Sequence, residues 1–152
     1  MKYWLMKSEP DVFSIDDLKS KKKTSWDGVR NYQARNFMRD DMKKDHLVLY
    51  YHSNCDVPGV YGIGKVIKES HPDHTQFDPK SDYYDPKATK EKPRWFMVEV
   101  GFVEKFKTPV SLAEIKEVKA LEDMLILRKG NRLSITPVEN KHFEKVTKLG
   151  NS

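Results

Sequence analysis

The sequence predicts an α+β fold: a mixed, partly closed pseudo-β-barrel of about five or six strands flanked by short helices. Three observations predict it. Short apolar runs of strand character alternate with segments carrying helix-capping signals. Two glycines, Gly62 and Gly64, fall inside one of the strand runs, where glycine marks a bend, a bulge or a close backbone approach. No internal repeat or low-complexity tract divides the 152 residues, so residues 1–152 are read as a single domain.

Taken in order, Tyr3 to Met6 is a first strand that stops at Lys7-Ser8-Glu9-Pro10, since Pro10 biases Glu9 away from helix. Ser14 with Asp17 three residues on is a capping box and predicts a short helix. Ala34, Phe37 and Met38 share a buried helical face, while Asn31, Arg35 and Arg39 form a separate polar stripe. Leu47 to Tyr51 reads as a central strand and Val60 to Ile67 as a further strand. Between His71 and Pro93 lie Pro72, Pro79, Pro86 and Pro93, with Phe77, Tyr83 and Tyr84 to bury. This is a long irregular excursion, and long ordered loops are commonly functional. Trp95 to Phe106 is the clearest strand, followed by a helix capped at Ser111-Leu112-Ala113-Glu114. Leu121 to Leu127 fits helix or strand. Leu133 to Thr136 is a short last strand, and Thr136-Pro137-Val138-Glu139 reads as the cap and first turn of a closing helix.

Composition narrows the function. Charged residues make up 34% of the chain and lysine and arginine exceed the acids by 28 to 23, a net +5 that favours polyanionic partners. Cys55 is the single cysteine, which excludes an internal disulfide and argues against a Cys-based zinc site. No apolar run approaches the roughly 20 residues needed to cross a bilayer, so no membrane association is expected. The reading is a monomer in the cytoplasm, or in the nucleus of a eukaryote.

Enzyme signatures are scarce. Gly62-Ile63-Gly64-Lys65 is too short for a phosphate loop and lies within a strand pattern. His52 and Ser53 are adjacent on a strand and so face opposite ways, unlike a nucleophile and its base. His71 and His74 in a turn lack further ligands for a metal. No catalytic residue, cofactor or metal is expected.

Binding has more support, and it centres on Ser25 to Phe37. There Trp26 precedes the turn signal Asp27-Gly28 and polar groups enter a helix start just after it. Such an arrangement can hold a flat, hydrogen-bonding ligand; a nucleobase stacked on an aromatic ring gains about 1–3 kcal/mol. The plain alternative is a Trp26 that only plugs the core. Further π faces come from Tyr32, Tyr50, Tyr51 and Trp95, and donors or acceptors from Ser8, Asn31, His52, Arg128, Asn131 and Ser134. Phosphates would be met by Lys21, Lys22, Lys23, Arg35 and Arg132, which position a strand rather than specify it.

Several of these stretches together resemble the EVE domain of the PUA-like superfamily: Tyr3 to Pro10, Trp26 to Asn36, Tyr51 to Asn54, Pro93 to Trp95, Pro109 to Leu112 and Arg128 to Val138. The resemblance implies a PUA-like pseudo-barrel and kinship with the YTH domain, which cages methylated adenine between aromatic rings. It implies a non-enzymatic reader of a modified nucleobase, chiefly modified cytosine in DNA, with RNA as a further partner. Trp26 then matches a cage tryptophan, and Lys7 and Ser8 the polar end of the first strand; Asn31, Tyr32, His52 and Arg128 follow more loosely. Trp95 and Tyr84 are the alternatives for the far wall. Rival readings are a nuclease or hydrolase using His52, and an RNA-binding module blind to modification.

Overall fold

The computed structural model describes all 152 residues. Six strands form one mixed sheet: β1 (Tyr3–Ser8), β2 (Lys23–Ser25), β3 (Leu47–His52), β4 (Gly59–Pro72), β5 (Phe96–Ser111) and β6 (Ile135–Val138). Their order is β2-β5-β4-β3-β1-β6. The strand number and α+β character are as the sequence predicts. The sheet is not closed, however, because β2 and β6 lie at opposite ends of it.

β1 lies parallel to β3, with Lys7 opposite Tyr51 and Ser8 opposite His52, and antiparallel to β6. Side chains on a strand alternate between faces, so one strand can feed two cores. Trp4 and Met6 of β1 and Val48 and Tyr50 of β3 enter a first core. Leu5, Leu49 and Tyr51 enter a second. Helices cover both. α1 (Ile15–Lys21) brings Ile15 and Leu18 to the first core, which also takes Ala34 of α2 (Tyr32–Asn36) and Met38. α3 (Leu112–Glu117) brings Ile115 to the second core, and α4 (Asn140–Gly150) brings Phe143 and Val146. No helix is long and apolar enough to cross a membrane.

Local signals placed most of these elements. The Ser14 hydroxyl accepts the Asp17 N–H while the Asp17 carboxylate accepts the Ser14 N–H, the reciprocal pair that starts α1. Ser111 caps α3 through the Glu114 N–H. Asn31 caps α2 through the Ala34 N–H, after which the chain passes into a π-helical turn at Phe37–Asp41. The apolar stretch from Leu121 to Leu127 is neither helix nor strand but ends one short 3₁₀ turn and begins another at Leu125–Leu127.

One expectation fails here. Pro137 is not in the first turn of a helix; it lies within β6 opposite Trp4, and α4 starts at Asn140 behind Glu139, which makes no side-chain cap. β6 is an edge strand, where a residue without an N–H is tolerated.

β4 and β5 carry the glycine bends. Their register shifts between Val60 and Gly62 and again between Ile63 and Gly64, so both glycines sit at bulges. A Cβ on Gly62 would press on the Glu104 carbonyl and lie 2.8 Å from the Ile15 Cδ1. The bend lets α1 approach the sheet. Gly62→Ala should therefore destabilise the protein by about 1–3 kcal/mol, the usual range for overpacking, as read by urea unfolding; an unchanged midpoint would contradict this close approach.

Candidate functional site

The turn that follows β2 is fastened at three points. The Trp26 N–H donates to the Val98 carbonyl of β5 at 2.8 Å, extending the β2–β5 pairing. The Asp27 N–H donates to the Ser25 carbonyl at 3.0 Å. The Gly28 N–H then donates to the Asp73 carboxylate at 2.8 Å. Gly28 has φ +78°, and a Cβ there would stand 2.8 Å from the Tyr83 ring, so both conformation and space call for glycine.

Asp73 is fully buried at the base of the long excursion between β4 and β5. Besides Gly28 it accepts from Arg30 at 3.1 Å and from both the N–H and the hydroxyl of Thr75. Burial alone would raise its pKa, but these hydrogen bonds outweigh it and hold the carboxyl below the ordinary aspartate range. Arg30 carries the network onward, donating to the Thr75 hydroxyl and to the Tyr83 carbonyl. Gln76, also fully buried, bonds the Asp73 and Trp95 carbonyls and the Arg94 and Trp95 N–H groups. The excursion is thus an ordered clamp over the Trp26 turn.

Between this turn and the polar end of β1 lies a cleft of about 210 Å³ lined by Lys7, Ser8, Val12, Phe13, Thr24, Ser25, Trp26, Asp27 and Tyr50. The volume is below the roughly 300–1,000 Å³ of drug-sized sites and suits a single planar ring. Trp26 keeps 9% of its surface exposed, enough to form a wall while its remainder packs in the first core. Its indole meets Tyr50 edge-on, with centroids 5.7 Å apart and planes at 81°. The Ser8 and Tyr50 hydroxyls both donate to the Phe13 carbonyl, at 2.7 and 2.8 Å. With their protons so committed, both oxygens face any ligand as acceptors. Lys7 is half-buried, and desolvation lowers its pKa. Its ammonium lies 5.9 Å from the Tyr51 ring centre.

The other residues singled out in the sequence are distributed elsewhere. Asn31, Arg128 and Arg132 line a wider groove of about 650 Å³, together with Gln33, Lys129 and Asn131. Ser134 accepts the Lys7 N–H through its carbonyl and so ties that loop to the end of β1. Tyr32 and Trp95 stack on each other 4.8 Å apart, away from the cleft, and the Trp95 Nε1–H is held by Asp85 at 2.8 Å. Tyr84 is exposed on the excursion. His52 is buried, its Nε2 accepting the Ile15 N–H at 3.0 Å and its ring stacked on Tyr61. Burial lowers its pKa, consistent with a neutral ring. Arg35 donates to the Arg94 carbonyl and to Asn36. Lys21, Lys22 and Lys23 are exposed just before the cleft residues Thr24 and Ser25; Lys23 stands 3.9 Å from Glu99.

Sequence reasoning did not single out Val12, Phe13, Thr24, Asp27 or Asp73 as site residues. Val12 is 72% exposed at the cleft although apolar, a placement that packing does not require. Proximity to Trp26 in the chain would have found Thr24 and Asp27. Only tertiary structure brings Asp73 to the turn, from 45 residues away.

The chain is thus a mixed sheet with a core on each face and a cleft, lined in part by Trp26 and Tyr50, at the end of its first strand. Residues 2–149 match the EVE domain, and the chain belongs to that family. Human thymocyte nuclear protein 1 is 45% identical over 166 residues, covering 97% of this chain and 73% of the human protein. A solved structure of human THYN1 in complex with 5-methylcytosine-containing DNA superposes with a TM-score of 0.92 at 43% identity, covering 100% of this chain and 99% of that one. A crystal structure of a Pseudomonas syringae protein gives a TM-score of 0.92 at 48% identity, covering 97% and 99%.

Asp73 makes the clamp sensitive to charge. Its folded pKa is depressed, so its stabilising contribution is complete above the unfolded value of about 3.9 and is lost as pH falls through the folded value. Asp73→Ala should lower stability by roughly 3 kcal/mol at neutral pH. In urea titrations across pH, the gap between wild type and variant should narrow only below about pH 4. A gap independent of pH would show that the carboxylate charge does not hold the turn.

Proposed function

We propose that this protein is a non-enzymatic reader of a modified base in DNA, 5-methylcytosine being the leading candidate, with the base held in the cleft beside Trp26. The observation that carries this reading is the partly open indole wall of Trp26, fixed from both sides and facing a cleft the size of one ring. The similarity to human THYN1, a chain solved with DNA containing 5-methylcytosine, supports the choice of ligand.

The energetics are consistent. Extruding a base from a duplex costs a few kcal/mol, and stacking on an aromatic ring returns about 1–3 kcal/mol. Hydrogen bonds to the cleft oxygens and phosphate contacts make up the rest. A 5-methyl group would gain by touching the apolar rim at Val12 and Phe13, a contact worth about 1–3 kcal/mol. Arg128, Lys129 and Arg132 line the neighbouring groove and are suited to the sugar-phosphate backbone. A hydrolase built on His52 is disfavoured because the Nε2 lone pair is already occupied by a backbone amide.

Fluorescence anisotropy with labelled oligonucleotides tests this. Binding to a probe with one 5-methylcytosine should be roughly tenfold tighter than to the unmodified probe. Trp26→Ala, checked for folding by its thermal melt, should weaken binding to the modified probe by about 1–3 kcal/mol. Equal affinities for the two probes, or undiminished binding by a folded Trp26→Ala, would refute the reader assignment.

The groove makes a separate prediction. Replacing Arg128 and Arg132 together by alanine should weaken binding to modified and plain probes equally and reduce the salt slope by about two, one for each phosphate no longer neutralised. A change in the modified-to-plain ratio would place these arginines at the base instead.

A further inference from the structure

We propose that the base in this cleft is an aminopyrimidine whose exocyclic amino group is read by the Asp27 carboxyl, and that Asp27 is the residue by which the protein rejects thymine. This deepens the assignment above and rests on it.

Thymine is the harder discrimination for a reader of 5-methylcytosine. The two bases share the ring and the 5-methyl group, so neither stacking on Trp26 nor an apolar contact at Val12 separates them. They differ on the edge: cytosine presents an N4 amino donor where thymine presents the O4 acceptor. Rejection therefore needs an acceptor fixed at that edge.

Asp27 provides one. It follows Trp26 directly and lines the same cleft. Its main chain cannot drift, because Trp26 is held by Val98 and Gly28 by Asp73. The residue is exposed, yet desolvation of the carboxyl and the nearby Asp73 charge raise its pKa despite the opposing effects of His74, of its own main-chain N–H and of Arg30. No salt bridge engages it, whereas Asp73 beside it is paired with Arg30 and bonded to Thr75. One carboxylate of the pair thus builds the turn and the other is free to meet a ligand.

Two of the remaining polar groups act in the same sense, while Lys7, Thr24 and Ser25 on the same lining can donate to the other edge atoms of a base. The Ser8 and Tyr50 oxygens are limited to accepting, since both donate to the Phe13 carbonyl. Fixed acceptors at Ser8, Tyr50 and Asp27 favour a base edge that carries N–H₂. A keto oxygen placed against Asp27 would meet acceptor with acceptor and lose its water without replacement.

Single-stranded probes that differ only in one central base, 5-methylcytosine or thymine, provide the test, with the wild-type chain and two variants. The wild type should prefer the 5-methylcytosine probe by about 10- to 100-fold, the range for one well-placed base-edge contact. Asp27→Asn preserves shape but offers both a donor and an acceptor, so it can pair with either base. It should keep its affinity for the 5-methylcytosine probe within a few-fold while the preference over thymine falls close to unity. Asp27→Ala should weaken 5-methylcytosine binding to the thymine level. A folded Asp27→Asn that keeps the wild-type preference would overturn the assignment of Asp27. A wild type that prefers 5-methylcytosine to plain cytosine but binds thymine equally well would overturn it while leaving the reader assignment standing. A wild type that binds neither probe would remove both.

Discussion

The Asp73 carboxylate is the constraint on which the binding cleft depends. It takes the Gly28 N–H, the Arg30 guanidinium and two donors of Thr75, and it does so fully buried. A buried charge is tolerated only when its oxygens are satisfied, so the turn and the excursion hold each other in place. Without that pairing Trp26 would be anchored on one side only, by the β2–β5 ladder. With it, one edge of a large aromatic ring is kept available instead of closing into the core.

The arrangement divides the work between two kinds of group. Trp26 and Tyr50 supply apolar surface and shape, which accept many flat ligands. The oxygens of Ser8, Tyr50 and Asp27 supply direction, which few ligands match. Under the proposed reading, affinity comes from the first and selectivity from the second. The basic loop around Arg128 to Arg132 lines a separate groove, and under the proposed reading it adds charge rather than base preference.

Much of this was legible from local sequence, and the boundary of legibility is physical. Capping residues act on N–H groups three positions away, so Ser14 and Ser111 announced their helices. Gly62 and Gly64 marked an irregularity because glycine inside a strand signals a bend, a bulge or a close approach, and the register shifts at both. The turn at Asp27-Gly28 was legible because its signal is local, and Trp26 just before it lines the cleft. Pro137 misled, since its helix-start signal is local whereas the pairing of β6 with β1 that overrides it is not. The tryptophans differ in a way composition hides. Trp95 is stacked on Tyr32 and bonded to Asp85, and nothing near it in sequence distinguishes it from Trp26 as a second wall. His52, read as a binding donor or as the base of a rival hydrolase, is instead engaged by α1, whose Ile15 N–H its Nε2 accepts, a contact 37 residues away in the chain.

The central claim, that a base stacks on Trp26, can be observed directly by fluorine NMR on protein carrying 5-fluorotryptophan at Trp4, Trp26 and Trp95. Each resonance is first assigned by substitution. On titration with the 5-methylcytosine oligonucleotide, the Trp26 resonance should move as ring-current shielding from the bound base develops, while Trp4, sealed in the first core, stays in place. A shift confined to Trp95, or saturable binding with Trp26 unmoved, would contradict the account and place the ligand elsewhere on the sheet.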